Sequence, residues 1–448
     1  MPALRVIATT DADFAQQWRN LRSRLTLEAL LAKRPERVEQ VRAIVDEVRR
    51  RGDDALADFT ARFDGVSLRP DEFRVTGEAL EAAHAQLDSG LLDALRQAIK
   101  NVREYQQAIM NQPPVDWTRD GLRLGVRQRA LERVGVCVPG ASAPLVSTVI
   151  MTVVPAQVAG VKEIAVISSP KADCNDSIHP AILGLCHELG VTEVYRVSGA
   201  HAVAALALGT ASIAKVDKIV GPSSEWAQLA KREMYGLVDV DSFAGPSEVL
   251  IIADETANAA WVAADLLSQA EHAPGSALLL TPSRQLAQEV AEELDRQLAK
   301  LSRREQTAGY VADYCLAVQT KSLDETIDLA NAFATEHLQI QCREAEAVAD
   351  RIVNAGAIFV GDYTPVATGD YFAGPSHTLP TGGSARFFGP LSVNDFLKQS
   401  SVIAYSAEAL RRDEAAINAI ANAEGLDAHA RSVRLRSSES SAAEAGVD

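Results

Sequence analysis

The chain has 448 residues, of which 47% are hydrophobic and 23% are charged, and its formal net charge is −16. This length predicts two or more domains, and the composition is typical of a folded globular protein rather than a disordered one. The acidic excess argues against nucleic-acid and membrane partners, because phosphate groups require a cationic face.

The five cysteines form no CxxC pair, and their odd number does not suggest a disulfide framework. The first 14 residues lack the apolar run of a signal peptide. The most apolar stretch, residues 145–161, is interrupted by Pro155 and Gln157 and is too short to span a membrane. We therefore expect a cytoplasmic protein.

Apolar residues recur at helical spacing over residues 36–63 and again over 89–107. This periodicity predicts a helical N-terminal arm over residues 1–110. After about residue 380 the pattern is helical again, notably over 408–423, which predicts a small C-terminal helical domain over 383–436. Residues 437–448 are rich in Ser, Glu and Ala, and we expect a disordered tail there.

Between these ends, short apolar runs alternate with helical patterns. The runs predicted as strands are 163–167, 193–197, 218–220, 249–252, 277–280, 315–318 and 357–360, and the clearest helices between them are 224–235, 258–272 and 284–298. This alternation predicts an α/β fold with two doubly wound, Rossmann-like parallel-sheet domains, over 111–245 and 246–382. No GxGxxG motif opens any unit, so the motif alone assigns no dinucleotide site.

Several polar residues are candidates for a functional site. Gln269 and His272 lie three apart on a predicted helix, where they either chelate one metal ion or form a polar helix end. A second group brackets glycine-containing turns: Asp370 and His377 around the loop 369–375, and Glu424 with His429, which could equally be a simple salt-bridged pair. Mixed nitrogen and oxygen ligands indicate zinc or a similar divalent ion.

The adjacent pair Glu336-His337 interrupts an apolar junction where a helix gives way to a strand. At such a turn both side chains can face one cleft. A histidine can then take a proton from an alcohol while the carboxylate activates water. A solvated pair at a helix end is the alternative interpretation.

Motifs spread along the chain resemble those of the histidinol dehydrogenase family. They are, in order, Phe63-Asp64-Gly65, Arg133-Val134-Gly135, Val138-Pro139-Gly140, residues 216–222, Ala244-Gly245-Pro246-Ser247-Glu248, residues 263–272, Glu336-His337-Leu338, residues 354–359 and residues 369–375. The resemblance implies a homodimer whose subunits each contain two Rossmann-like domains and exchange small terminal domains.

The resemblance also implies a ligand set. One Zn²⁺ per subunit would be held by Gln269, His272, Asp370 and His429, with His429 expected from the partner subunit. The further substrate contacts it implies are Ser247, His337, His377 and Glu424. The implied reaction is a four-electron oxidation of L-histidinol to L-histidine through a bound aldehyde. In it, His337 is the general base for the alcohol, Glu336 activates water, and NAD accepts the hydrides.

Three positions depart from the family pattern, and all three are ones at which the family contacts NAD. Cys137 replaces a tyrosine, His201 replaces a glutamine and Ser224 replaces an asparagine. Three alternatives therefore stay open: a histidinol dehydrogenase proper, a paralogue that oxidises another primary alcohol such as a diol or sulfonated alcohol, or a non-catalytic metal-binding relative.

Overall fold

The structure is a computed structural model that describes residues 3–25, 35–111, 116–141, 143–243, 245–270 and 275–444. The chain divides into two compact units, one formed by residues 1–109 and 131–396 and the other by 110–130 and 397–448. In the parts of the chain just given, no helix is both long and apolar enough to cross a membrane.

The first unit contains a five-stranded, fully parallel sheet with the strand order β6-β5-β4-β7-β8. Its strands are β4 (Arg133–Val138), β5 (Glu163–Ser168), β6 (Glu193–Tyr195), β7 (Lys218–Val220) and β8 (Asp239–Val240). The helices that precede or connect them are α2 (Pro35–Arg51), α3 (Asp53–Phe63), α4 (Gly77–Ala85), α5 (Ser89–Ile109), α6 (Val146–Ala159), α7 (Pro180–Glu188), α8 (Gly199–Leu208) and α9 (Glu225–Met234). The strand order reverses between β4 and β7.

The same unit contains a six-stranded, fully parallel sheet with the order β1-β11-β10-β9-β12-β13. Its strands are β1 (Arg5–Ala8), β9 (Ser247–Ala253), β10 (Gly275–Thr281), β11 (Cys315–Gln319), β12 (His337–Gln341) and β13 (Ala357–Val360). Its helices are α1 (Phe14–Leu25), α10 (Ala259–Ala270), α11 (Arg284–Leu298), α12 (Arg304–Tyr314), α13 (Leu323–Phe333), α14 (Ala345–Ala349) and α15 (Val366–Tyr371). Here the order reverses between β9 and β12.

Both faces of the six-stranded sheet are buried, which explains its continuous apolar strands. Val249 and Ile251 of β9 pack into one hydrophobic cluster with α10 and α11. Leu250 and Ile252 point to the opposite cluster, which Trp18 of α1 and residues of α13 complete. Successive side chains of one strand therefore stabilise two separate cores.

The second unit is built on a three-stranded antiparallel sheet of β2 (Trp117–Arg119), β3 (Leu122–Ala130) and β14 (Leu397–Tyr405), in the order β14-β3-β2. Two helices follow, α16 (Ala407–Ala423) and α17 (Asp427–Glu444). Ser406 caps α16 by accepting a hydrogen bond from the backbone of Ala409.

The predicted parallel α/β architecture is confirmed, including the strands at 218–220 and 357–360 and the helix at 284–298. The ends of the chain differ from expectation. The helical arm also contributes β1, which pairs with β11. The region beyond residue 383 supplies a strand as well as helices, and α17 continues to Glu444, where a disordered tail was expected from residue 437.

Candidate active site

The pair Glu336-His337 lies where the sequence predicts it, between α13 and β12. Ala334 ends α13 in a left-handed conformation with φ of 58°, and the chain then enters β12 at His337. Strand β9 runs parallel beside β12, with His337 in register with Val249. Ser247 and Glu248 therefore lie next to the pair, at the amino ends of two neighbouring strands.

Two donors hold the carboxylate of Glu336. The Ser247 hydroxyl donates to Glu336 Oε2 at 2.7 Å, and the backbone N–H of Glu248 donates to the same oxygen at 2.8 Å. Glu336 is only 7% exposed. Its carboxylate is therefore fixed in one orientation by the protein itself, before any substrate arrives.

His337 is held through its ring nitrogen Nδ1. Nδ1 lies 2.9 Å from the carbonyl oxygen of Glu248, and because a carbonyl only accepts, Nδ1 carries the proton. Nε2 has no hydrogen-bond partner and lies 3.4 Å from Asp370 Oδ1. Burial disfavours the charged imidazolium, but the carboxylates of Glu336 and Asp370 outweigh it and raise the pKa of His337 well above its usual range.

Glu248 is a residue that the sequence reasoning missed as an individual. Its side chain is 1% exposed and accepts the backbone N–H of Glu336 at 3.3 Å and that of Gly382. Burial and the nearby charge of Glu336 raise the pKa of Glu248 to about 8. The available signal was an acidic residue directly before the buried apolar run of β9.

The four predicted metal ligands lie in different parts of the chain. Gln269, near the end of α10, is 4% exposed, and its Nε2 has no partner. Asp370, on α15, faces His337. His272 lies outside the described residues, and His429 is an exposed residue of α17 in the second unit. Among the residues that the structure describes, no three His, Cys, Asp or Glu side chains cluster as metal ligands.

The two remaining predicted substrate contacts are placed differently. His377 Nε2 lies 3.2 Å from the Ser147 hydroxyl. Burial lowers the pKa of His377, although the charges of Asp370 and Glu336 oppose this shift, so His377 shares their electrostatic environment. Glu424 is the exposed residue that ends α16 in the second unit.

The three predicted cofactor residues, Cys137, His201 and Ser224, all line one cavity of about 490 Å³. Cys137 lies near the end of β4, and Ser224 directly precedes α9. His201 lies in the first turn of α8. The cavity thus opens at the carboxyl ends of β4 and β7, where the strand order reverses. In doubly wound folds this reversal is the usual place for a nucleotide.

A buried ion pair holds the turn after β7 that leads into the cavity-lining residues 222–224. Gly221 has φ of 101°, and a side chain there would overlap the carbonyl oxygen of Cys137. Lys231, which is fully buried, donates to the Gly221 carbonyl at 2.6 Å and to Asp241 Oδ1 at 2.9 Å. Asp241 Oδ2 in turn accepts the Gly221 N–H at 2.6 Å. Sequence reasoning missed Lys231 and Asp241, which no motif marks.

One side of the cavity is polar. The Ser198 hydroxyl donates to Asp64 Oδ1 at 2.8 Å, while Asp64 Oδ2 has no hydrogen-bond partner and lies 3.9 Å from His201 Nε2. His201 packs against both Phe59 and Phe63, which stack on each other, and burial lowers the pKa of its imidazole to about 3. His201 is therefore neutral, and its Nδ1 also lacks a partner.

Parallel sheets with a buried acid–base pair on one and a cavity at the strand reversal of the other define an α/β enzyme. Comparison with known proteins identifies its family. The family model for histidinol dehydrogenase matches residues 31–437. The histidinol dehydrogenase of Synechococcus sp. is 48% identical over 401 residues, covering 89% of this chain and 92% of the relative. That of Moorella thermoacetica is 49% identical over 401 residues, covering 89% and 93%.

A solved structure agrees with these sequence matches. The crystal structure of histidinol dehydrogenase from Elizabethkingia anophelis superposes with a TM-score of 0.89 and 32% identity, covering 97% of this chain and 98% of that one. The chain therefore belongs to the histidinol dehydrogenase family, a family of oxidoreductases. This membership argues against the non-catalytic alternative.

Proposed function

We propose that this enzyme oxidises L-histidinol to L-histidine in two NAD-linked steps, with zinc holding the substrate, as part of histidine biosynthesis. One observation supports this proposal above all others. A histidine with a free Nε2 and a carboxylate fixed by two donors lie side by side at the amino ends of β9 and β12. The two oxidations require these same groups, a base for an alcohol and an activator of water.

The roles follow from the hydrogen bonds. His337 takes the proton of the substrate hydroxyl in its neutral form, in which Nδ1–H donates to the Glu248 carbonyl and only Nε2 is left as an acceptor. A zinc ion held by Asp370 would offset the carboxylate charge that raises the pKa of His337, and would thereby favour this neutral form. NAD, when bound, accepts the hydride of each oxidation. The Glu336 carboxylate, aligned by Ser247 and the Glu248 N–H, then removes a proton from water as it attacks the aldehyde. Loss of a second hydride from the hydrated aldehyde gives the carboxylate.

The donor set fits a zinc ion. Gln269 is buried and can offer its side-chain amide oxygen, and Asp370 offers a carboxylate beside His337. Together with His272 and His429 they make a mixed nitrogen and oxygen set, which suits zinc. We propose that the partner subunit's His429 completes it in a homodimer, and that Glu424 reaches the substrate from the same unit. Zinc, when bound, orients the substrate through its nitrogen atoms.

The cavity of the five-stranded sheet fits NAD. It lies at the strand reversal, and the amino ends of α8 and α9 border it through Ser198, Gly199 and Ser224. Backbone N–H groups at helix amino ends are suited to phosphate oxygens. We propose that Cys137, His201 and Ser224 contact NAD here, as their counterparts are expected to do.

The direct test is a steady-state assay of the purified protein with histidinol and NAD, before and after treatment with a chelator. We expect two NADH per histidinol, loss of turnover on chelation, and its return on adding zinc. A zinc-loaded, folded protein that forms no NADH from histidinol would rule the proposal out.

A second candidate, a paralogue acting on another primary alcohol, rests on the changes at Cys137, His201 and Ser224. All three line the cavity of the five-stranded sheet, whereas Glu336, His337 and Asp370 do not line it and lie at β12 and α15, beside the six-stranded sheet. The changes therefore bear on the cofactor rather than on the alcohol, which favours histidinol. A panel of alcohols that includes diols and sulfonated alcohols distinguishes the two candidates by kcat/KM.

We also propose that the enzyme works in the reducing cytoplasm. All five cysteines are unpaired, and four of them are buried. Burial raises the pKa of the Cys137 thiol to about 11, so this cavity residue is a neutral, unreactive thiol at physiological pH.

A further inference from the structure

The polar side of the cavity presents hydrogen-bond acceptors that the protein leaves unused. Asp64 Oδ2 is one, since Ser198 occupies only Oδ1 and His201 Nε2, at 3.9 Å, lies beyond hydrogen-bond distance. His201 Nδ1 is the other. The Thr60 hydroxyl donates to the carbonyl of Leu56, so it accepts from His201 Nε2 at 3.3 Å, and Nε2 must carry the ring proton. Nδ1 is then a bare lone pair, in a side chain that is 1% exposed.

Buried acceptors without donors are costly, so their partners are expected to come from a ligand. A ligand that satisfies both acceptors must bring two or more donors into this cavity. Neither lysine nor arginine lines the cavity among the described residues, so no cationic side chain there would offset an anionic group next to Asp64. The third unpaired group, the hydroxyl of Ser168, donates or accepts as required. Neutral vicinal hydroxyl groups match this pattern.

We propose that Asp64 is a cofactor-specificity residue, whose carboxylate binds the adenosine ribose hydroxyls of NAD while His201 Nδ1 accepts a further hydrogen bond. This inference rests on the proposed function, which places NAD in the cavity. The adenosine ribose is chosen because the nicotinamide must lie with Glu336 and His337, and neither of these lines the cavity. The same carboxylate repels the 2′-phosphate of NADP, because both groups are anionic.

The test measures dissociation constants by calorimetry for NAD, NADP and NAD lacking the adenosine 2′-hydroxyl. For the unaltered protein we expect both modified cofactors to bind roughly 10- to 100-fold more weakly than NAD, as for loss of a hydrogen bond to a charged group. Asp64→Asn should weaken the binding of NAD to a similar extent and reduce the ratio of the NADP and NAD dissociation constants. The matched control is Asp54→Asn, which removes the same charge from an exposed position of α3 and should leave all three constants unchanged.

The decisive quantity is the coupling free energy between the Asp64→Asn substitution and the removal of the adenosine 2′-hydroxyl from NAD. If Asp64 contacts the ribose, removing the 2′-hydroxyl costs little more once Asp64→Asn is present, so the losses are not additive. Additive losses, or equal binding of NAD and NADP by the unaltered protein, would overturn the inference. The cofactor-side comparison needs no variant, so equal binding of NAD and NAD lacking the 2′-hydroxyl would overturn the inference even if Asp64→Asn does not fold.

Failure of this inference is separable from failure of the proposed function. Turnover of histidinol with NAD, combined with additive binding losses, refutes the role of Asp64 alone. Coupled binding losses without any histidinol turnover support the ribose site and refute the proposed substrate.

Discussion

The two parallel sheets of the first unit reverse their strand order in the same way, yet they place their notable residues at opposite ends. In the five-stranded sheet the cavity lies at the carboxyl ends of β4 and β7, as expected for a nucleotide site. In the six-stranded sheet Ser247, Glu336 and His337 lie at the amino ends of β9 and β12. A similar strand order therefore does not determine at which end of the strands the candidate site residues lie.

The two places also differ in how far the protein satisfies its own polar groups. Around Glu336, the Ser247 hydroxyl and the Glu248 backbone already hold the reactive side chains. In the cavity, Asp64 Oδ2 and His201 Nδ1 have no partners. A fixed arrangement suits groups that move protons, because misplacement is costly to rate. Unused acceptors suit a place that a ligand completes.

The largest effect that tests this difference is expected at His337. His337→Asn should lower kcat roughly 10²- to 10⁴-fold, because the proposed base for the alcohol is lost.

Glu336→Gln should instead slow the second oxidation, so that one NADH forms rapidly per histidinol and the aldehyde persists. Product analysis with an aldehyde trap measures this. The control is His187→Asn, at an exposed histidine of α7. If His337→Asn and Glu336→Gln each slow the first and the second oxidation to the same extent, the two residues do not have these separate roles.

The next effect concerns the support beneath the pair. Glu248→Ala leaves the backbone N–H of Glu336 without its acceptor and should lower kcat about 10- to 100-fold with little change in KM for histidinol. Glu248→Gln keeps an acceptor oxygen and should recover most of the rate. Thermal unfolding of both variants checks that they fold. If alanine and glutamine have the same kcat, the carboxyl does not position Glu336.

On the cavity side, Gly221→Ala should destabilise the protein by roughly 2–4 kcal/mol, because it combines positive φ with an overlap on the Cys137 carbonyl. It should also weaken NAD binding, since the loop after β7 must move. Gly309→Ala is the matched control. Its added methyl meets nothing within 4 Å inside α12, so it should stabilise the protein by about 0.5–1 kcal/mol. Chemical denaturation measures both, and similar stabilities would contradict the expectation.

The smallest effect is expected at the amino end of β4, where the five-stranded sheet carries a salt bridge instead of the proposed catalytic pair. Arg133 is 8% exposed and binds both carboxylate oxygens of Glu193, at 2.9 and 2.5 Å. This hydrogen bonding lowers the pKa of Glu193 despite partial burial. Glu193→Gln should therefore cost about 1–3 kcal/mol near neutral pH.

The sign of its pH dependence follows from the lowered pKa. The carboxylate stabilises the folded state above the ordinary glutamate pKa, and this contribution is lost as the pH falls through the lower folded value. The gap between the parent protein and Glu193→Gln should thus close in acid. Denaturation curves at neutral and acidic pH measure it, with the exposed Glu39→Gln as control. A gap that widens in acid would show that Glu193 stabilises by another means.

The sequence predicted the parallel α/β architecture well because hydrophobic runs and helical spacing are local signals. It also located Glu336-His337 at the turn into β12. It did not reveal Glu248, Lys231 or Asp241, because their importance arises from partners brought together by the sheets. Strand β1 was not predicted for the same reason, since its four residues form a strand by pairing with β11, which is distant in sequence.

That edge strand bears on how the protein is made. Residues 5–8 pair with residues 316–319, and the hydroxyl of Thr9 donates to Glu325. At ribosomal rates of about 5–20 residues per second, the opening segment waits roughly 15–60 s for its neighbour to be synthesised. Contacts so distant in sequence form slowly. The nascent chain therefore carries an unpaired edge strand for much of its synthesis, and the first parallel sheet segment to emerge is among the last to be paired.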